Sequence, residues 1–389
     1  MIFSLVSFIY RPWAMFCLSI LACVSILIIE RFLGIEWDFH PDANTYIEFS
    51  GVTSLSIKEV FLGYFHYWQP RDPLGSIRII EVNTTFNSMW NGILTLKGNL
   101  FYVIVDLFNS DIRFVILFNI IIYSITNSAI SSFFRNNCKL ESEGYLGLLF
   151  LFVIFNPYRA HFSVQVLKDT LIISSLVFLT LNKTKVFGII YFIAGVFLRS
   201  GWIIYLISFI NIKVIVKLIR EKSFLNKNLR FLFIATVLSF LYGIWFVISQ
   251  WDTIIHVFTS TNGNMTFRDF DSVPSFYELG LVGSVIRAIL WPVLYLTGAF
   301  IFLSPSIMYL PVAIGVFLQN FWIIKHFKRP YALISVYLSI YISMAIFAFI
   351  VSGFTSYIRY CLPLITILPI LLINDDRRQT KENFINKKD

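Results

Sequence analysis

The residues best suited to chemistry lie in one short stretch, from Asn156 to Asp169, between two apolar runs. Its charged and titratable side chains are Arg159, His161, Lys168 and Asp169. In a chain this apolar, such groups at the end of a membrane span either anchor the helix at the headgroups or line a polar site. In a polar site, His161 and Asp169 are candidate bases for a hydroxyl, and Arg159 and Lys168 are candidate ligands of a phosphate.

The backbone of this stretch is predicted to leave helical geometry. Pro157 interrupts a helix, and the residue before a proline is biased towards extended conformations. A broken or re-entrant turn is tolerated at membrane depth only where its free backbone groups meet water or protein. The stretch is therefore predicted to be a broken turn at the membrane face.

Arginines recur at the outer ends of the apolar runs. These four residues are Arg159, Arg199, Arg287 and Arg359. A guanidinium stays charged and presents a planar fork that matches phosphate oxygens. Any one of them is equally well explained as a snorkelling anchor. Four on one side favour a basic pocket for a pyrophosphate-linked substrate.

A second polar group follows the first apolar run, from Trp37 to Tyr46. Asp42 is a further candidate base, and Asp38 and Asp42 together are candidate metal ligands. The alternative is that Asp42 caps a helix and Asp38 is solvated. The sequence has no P-loop, GxSxG, HExxH or CxxC pattern, and its four cysteines lack metal spacing, so no metal site is predicted.

The elements that must position these residues are membrane helices. The chain has 389 residues, 57% of them hydrophobic, and a mean hydropathy of +0.75, which excludes the soluble globular classes. Its net charge of +9 falls mostly in short loops, where the positive-inside rule accounts for it without nucleic acid. The pattern predicts an all-α polytopic membrane protein of roughly ten to eleven transmembrane helices, with re-entrant or interfacial helices on the outer face.

The whole chain, residues 1–389, is predicted to form one integral membrane domain. Residues 31–98 contain more acidic than basic side chains and many aromatic ones, which predicts an outer loop with amphipathic helices lying on the membrane. Residues 251–278 are predicted to form a second outer loop. Residues 374–389 are predicted to form a cytoplasmic tail.

Three short motifs resemble the bacterial polysaccharide polymerases of the O-antigen (Wzy) or capsule type. The first is the turn from Ser163 to a Lys168-Asp169 pair that opens the next span. The second is Ile358-Arg359-Tyr360 followed by Pro363, and the third is Pro41-Asp42 with Tyr46 after the first span. The likeness extends over most of the chain through its layout of spans and loops.

This resemblance implies a multi-pass enzyme of the bacterial inner membrane with an outward-facing site. It would polymerise oligosaccharide repeat units carried on undecaprenyl pyrophosphate, without a nucleotide sugar or another cofactor. The implied partners are the lipid-linked glycan, the bilayer, and the chain-length regulator and flippase of the same pathway. His161, Asp42 and Asp169 are the candidate bases, and the arginines with Lys168 would bind the pyrophosphate.

Two alternatives remain open. Membrane glycosyltransferases of the GT-C type keep an acidic residue in the first outer loop, where Asp38 or Asp42 stands, and use a lipid-phosphate sugar donor, often with a divalent metal. A flippase for lipid-linked oligosaccharides is the second alternative. In a flippase the arginines would line a central cavity between two halves, but the sequence has no evident repeat symmetry.

Overall fold

The computed structural model describes residues 11–36, 111–137, 156–181, 279–303, 310–326, 330–350 and 353–385, two short strands, and isolated positions between 43 and 154 and at 276. The chain divides into two compact units. The first comprises residues 1–67 and 79–202, and the second comprises residues 68–78 and 203–389. The prediction of a single membrane domain with the loops named above stays a prediction.

Three helices in the described ranges are long and apolar enough to cross a membrane: Pro12–Phe32, Ile112–Asn136 and Ser356–Ile373. Shorter apolar helices accompany them at Asp169–Leu181, Val282–Thr297, Leu310–Lys325 and Leu333–Phe349. The helical part of the predicted fold class is thereby confirmed for these segments. The total of ten to eleven spans stays a prediction, because several of the proposed spans lie outside the described residues.

A two-stranded sheet, which the sequence did not lead us to expect, interrupts the predicted outer loop. Its strands are β1, Phe65–Trp68, and β2, Ile79–Val82. Aromatic and β-branched residues dominate both segments, and these residue types favour extended backbone. The amphipathic helices predicted for this loop lie outside the described residues.

The first unit contains helix α1, Pro12–Phe32, and helix α2, Ile112–Asn137. Pro12 occupies the first turn of α1, where its missing N–H costs no hydrogen bond. Asp111 precedes α2 and accepts hydrogen bonds from the backbone N–H (2.9 Å) and the guanidinium of Arg113. These bonds from Arg113 hold the pKa of Asp111 below its ordinary value.

Helices α1 and α2 pack against each other through polar as well as apolar side chains. Asn127 of α2 donates to the Ser19 hydroxyl at 3.1 Å, and Ser128 donates to the Pro12 carbonyl at 2.8 Å. Small and amide side chains of this kind hold neighbouring helices together where hydrocarbon gives little hydrophobic driving force. The stretch from Asn156 to Asp169 packs against this pair of helices.

That stretch forms a short helix, a break and a second helix. Helix α3, Pro157–Ser163, begins at Asn156, whose side chain accepts from the Tyr158 N–H at 3.0 Å. Pro157 therefore starts a helix in its first turn, and the break follows at residues 164–168. Helix α4, Asp169–Leu181, follows the break. The predicted interruption is confirmed, but it lies seven residues after Pro157.

The second unit begins with helix α5, Gly280–Thr297, followed by a 3₁₀ turn, Ala299–Phe302, and helix α6, Leu310–His326. Gly298 ends α5 with a φ of +71°, in the left-handed region that favours glycine. A Cβ there would also lie 2.8 Å from the carbonyl oxygen of Ala313. Gly298 thus permits both the turn and the close approach of α6.

Helices α7, Pro330–Ile350, and α8, Phe354–Ile385, complete the second unit. Helix α7 packs against both α5 and α8. Helix α8 contains Pro363 and Pro369, and it continues beyond its apolar part into the predicted cytoplasmic tail. Residues 374–385 of the predicted tail are therefore helical.

Candidate functional site

The break between α3 and α4 is held by an amide from the neighbouring helix α2. Asn119 Nδ2 donates to the carbonyl oxygens of Gln165 (3.1 Å) and Leu167 (3.0 Å), and all three residues are buried. Buried backbone carbonyls need donors from the protein, because an unpaired carbonyl away from water is costly. One buried side chain therefore fixes the backbone that carries the candidate residues.

An acid from α1 meets the histidine of α3 inside the first unit. Glu30 Oε1 lies 2.6 Å from Nδ1 of His161, and Glu30 Oε2 accepts from Nε2 of Gln165 at 2.8 Å. Glu30 and His161 are 6% and 8% exposed, so both lie inside the protein. This burial favours the interpretation of His161 as part of a polar site over that of a headgroup anchor.

Arg159 is also buried, and it connects three elements. Its Nη2 donates to Asn127 Oδ1 of α2 at 2.8 Å, and its Nη1 donates to the Ile154 carbonyl at 3.1 Å. The guanidinium lies over the ring of Tyr123, 5.2 Å from the ring centroid. The guanidinium remains charged at physiological pH, so its hydrogen bonds are charge-assisted.

One donor of Arg159 is left over. Its Nε is buried without a hydrogen-bond partner, as is the hydroxyl of Thr170 in the first turn of α4. Both residues line a narrow crevice with Tyr123, Ile173 and Ser174. The crevice has no space for a group the size of a water molecule, and both terminal nitrogens of Arg159 already bind protein oxygens. Binding of pyrophosphate by Arg159 therefore stays a prediction.

Lys168 and Asp169 lie at the start of α4 and are buried, at 9% and 3% exposure. The Lys168 carbonyl accepts from the Leu171 and Ile172 N–H groups, each at 3.1 Å, which starts the helix. Asp169 lies in the first turn, where a negative charge interacts favourably with the helix dipole. The structure thus brings Arg159, His161, Lys168 and Asp169 into one unit, on one helix–break–helix segment.

Arg287 of the second unit binds the end of a neighbouring helix. Its Nε donates to the Ala348 carbonyl at 3.1 Å, and its Nη2 donates to the Ser284 hydroxyl at 2.9 Å. Ala348 is in the last turn of α7, where carbonyls lack helical partners. These bonds give Arg287 a structural role within its unit, and its predicted contact with pyrophosphate stays a prediction.

Arg359 is half-buried in the second turn of α8. The neighbouring Tyr360 stacks on Phe347 of α7 with 6.1 Å between ring centroids. Four residues later, Pro363 has no N–H to donate to the Arg359 carbonyl. Arg359 therefore lies near one end of the apolar helix Ser356–Ile373, in line with its predicted place at the end of an apolar run.

Two predicted site residues, Asp42 and Arg199, lie outside the described residues. Arg159 belongs to one compact unit and Arg287 and Arg359 to the other. A common pocket for the four arginines therefore stays a prediction. In the described ranges, no group of three or more His, Cys, Asp or Glu side chains is placed to hold a metal ion.

The sequence analysis missed the residues that hold the site together: Glu30, Asn119, Asn127 and Gln165. A signal for Glu30 was present, because an acid at the end of an apolar run is costly unless it has a partner. The amides of α2 gave a weaker signal: Asn119 interrupts a run of apolar residues, whereas Asn127 stands among serines and a threonine. Their partners lie 32 to 135 residues away in the sequence, so spacing could not reveal them.

Comparisons of this chain with known protein families, with curated proteins and with solved structures find no match. The resemblance to polysaccharide polymerases accordingly rests on the three short motifs and on the layout of the chain.

Proposed function

We propose that this protein polymerises undecaprenyl-pyrophosphate-linked oligosaccharide repeat units into a surface polysaccharide at the outer face of the bacterial inner membrane. The observation that supports the proposal most is the buried Glu30–His161 pair, with 2.6 Å between Oε1 and Nδ1. It lies beside a helix break in a segment that resembles the polymerase motif. A carboxylate bound to Nδ1 prepares an imidazole to act as a general base through Nε2.

The proposed reaction is a glycosyl transfer between two lipid-linked glycans. Nε2 of His161 takes the proton from an acceptor hydroxyl, whose oxygen then bonds to the anomeric carbon of the donor glycan. The bond between that carbon and the pyrophosphate oxygen breaks, and undecaprenyl pyrophosphate leaves with the bonding electrons. A cationic side chain neutralises the departing charge, and the candidates are those identified in the sequence: Arg159, Arg199, Arg287, Arg359 and Lys168.

Burial favours a base over an anchor. A histidine that anchors a helix would project towards headgroups and water, whereas His161 is enclosed and bound to an acid from another helix. A buried acid–histidine pair carries a desolvation cost that an apolar pair of similar size would avoid. A role in proton transfer would account for such a costly pair beside a helix break.

Deletion of the gene in the source bacterium tests the proposal. The lipid-linked glycan and the surface glycan of the deletion strain are analysed by mass spectrometry, with complementation by the wild-type gene as the control. We expect single repeat units on the lipid carrier and no long chains on the surface. A repeat unit that lacks one sugar would support the GT-C alternative, and complete precursor retained on the cytoplasmic side would support a flippase. Either result would overturn the proposal.

A further inference from the structure

We propose that Glu30 is the positioning residue of this site, because its carboxylate fixes the ring of His161 in the tautomer that a general base needs. The inference deepens the proposed function and rests on it for the reaction concerned. No motif in the sequence includes Glu30. Its role follows from the contacts that α1 makes with α3 and with the break.

The geometry allows Glu30 little freedom. Its two oxygens bind two different residues, Nδ1 of His161 at 2.6 Å and Nε2 of Gln165 at 2.8 Å. Gln165 lies in the break, whose backbone Asn119 holds through the Gln165 and Leu167 carbonyls. The carboxylate is therefore held on both sides and cannot rotate away from the imidazole without breaking a buried hydrogen bond.

A second contact connects the same two helices. The Sγ of Cys23 lies 3.2 Å from the hydroxyl of Ser163 at the end of α3. Cys23 and Glu30 are seven residues apart, which is two helical turns and so the same face of α1. This face therefore docks α3 at two points, and only the contact from Glu30 reaches the imidazole.

The donor and acceptor roles follow from the chemistry of the groups. A carboxylate in its ionised form only accepts hydrogen bonds, so the proposed tautomer is the one in which Nδ1 of His161 carries the proton. In the neutral ring the lone pair then lies on Nε2, the nitrogen that would take a proton from a hydroxyl. When Nε2 takes that proton, the adjacent carboxylate stabilises the imidazolium, as the aspartate does in serine proteases.

A purely structural ion pair would have the same distances, and two substitutions distinguish the roles. Glu30→Gln removes the charge and keeps the shape, and the unpartnered Oε1 of Gln165 can accept from the new amide after a rotation of its own. Cys23→Ala removes the other contact between α1 and α3 and leaves the imidazole untouched. Cys23→Ala therefore controls for any effect of weakened packing between α1 and α3.

The test combines kinetics and NMR on the full-length protein in lipid nanodiscs. Elongation of undecaprenyl-pyrophosphate-linked repeat units gives kcat and KM. The ¹⁵N-labelled histidine spectrum gives the tautomer, and the chain has only 5 histidines. We expect Glu30→Gln to lower kcat by roughly tenfold or more with KM nearly unchanged. Cys23→Ala should retain the kcat of the wild type. The wild-type His161 should show a strongly deshielded Nδ1 proton that shifts upfield in Glu30→Gln.

Two results would overturn the inference. One is a wild-type kcat for Glu30→Gln while His161→Asn is inactive, which would leave the proposed function intact. The other is a His161 ring protonated at Nε2 alone in the wild type. If the wild-type protein elongates no lipid-linked glycan, the proposed function fails, and the NMR result then decides by itself whether Glu30 positions the ring. If Glu30→Gln fails to insert, the NMR tautomer of His161 in the wild-type protein still tests the inference, which requires the proton on Nδ1.

Discussion

The side-chain amide of Gln319 donates to the backbone carbonyl of Ile365 at 2.8 Å, and both residues are buried. Ile365 is four residues before Pro369 in α8, so the proline removes the N–H that this carbonyl would otherwise bind. The amide from α6 takes its place. A donor from a neighbouring helix is what allows a proline in the middle of an apolar helix.

We therefore predict that Gln319→Leu destabilises the protein by about 1–2 kcal/mol, because the Ile365 carbonyl loses its donor in an apolar interior. Pro369→Ala restores a backbone N–H to α8. In the Pro369→Ala protein, Gln319→Leu should lower the free energy of unfolding by much less. Unfolding in detergent micelles, followed for the four proteins of the double-mutant cycle, measures the difference. If Gln319→Leu lowers the free energy of unfolding equally in both proteins, Gln319 does not replace the donor that Pro369 removes.

The broken segment offers a second prediction. Asn119→Asp keeps the size of the side chain but replaces the donor to the Gln165 and Leu167 carbonyls with an acceptor. We expect it to lower the free energy of unfolding by about 2 kcal/mol or more, since it leaves two buried carbonyls opposite a carboxyl group. Limited proteolysis should cut residues 164–168 faster in the variant.

Ser124→Ala is the control for that experiment. Ser124 is buried in the same helix, but its hydroxyl donates only to the Ile120 carbonyl one turn earlier. Its loss should change stability and cleavage little. If Asn119→Asp behaves like Ser124→Ala, the break is not held by Asn119.

The location of the helix break was predictable in part. Charges and a proline between two apolar runs indicated an interruption, and one is present. Its position differs because a proline in a first turn starts a helix as readily as it ends one, and Asn156 caps that start. The choice between the two outcomes depends on the N-cap contact, which the proline alone does not specify.

The candidate site was predictable to a smaller extent. His161 and Arg159 were identified because they are titratable or charged in an apolar stretch. Glu30 and Asn127 were not, because their roles depend on which helices are neighbours, and hydropathy gives the lengths of helices without their packing. The strands β1 and β2 were missed for a related reason, since aromatic runs in a polar loop suit an interfacial helix and a strand alike.

Arg159 gives a third prediction, about stability. Its two terminal nitrogens bind Asn127 and the Ile154 carbonyl at once, which a lysine with a single nitrogen does poorly. Arg159→Lys should lower the free energy of unfolding by roughly 1.5–3 kcal/mol. Arg113→Lys is the comparison, because the Arg113 side chain is 89% exposed and its replacement should leave the melting midpoint unchanged. A wild-type midpoint for Arg159→Lys would contradict this structural role.

Arg359 gives a fourth prediction, about catalysis. A membrane anchor needs only positive charge, which lysine supplies, whereas a phosphate clamp needs the planar fork of arginine. We expect Arg359→Lys to insert normally and to elongate glycan on the order of tenfold more slowly, a loss of about 1.4 kcal/mol in transition-state stabilisation. Chain-length analysis at matched expression measures it. Normal long chains would identify Arg359 as an anchor.

The central claim, that His161 is the base of a glycan polymerase, is tested most directly by elongation in vitro. The lipid-linked repeat unit that accumulates in a deletion strain is added to purified protein in nanodiscs, and the products are resolved by size. His161→Asn is the decisive variant, because the asparagine amide can still donate to Glu30 where Nδ1 does, but offers no nitrogen base in place of Nε2. We predict a ladder of polymer from the wild type and at least ~10²-fold slower elongation from a folded His161→Asn protein. A wild-type ladder from that variant, or no ladder from the wild-type protein, would contradict the claim.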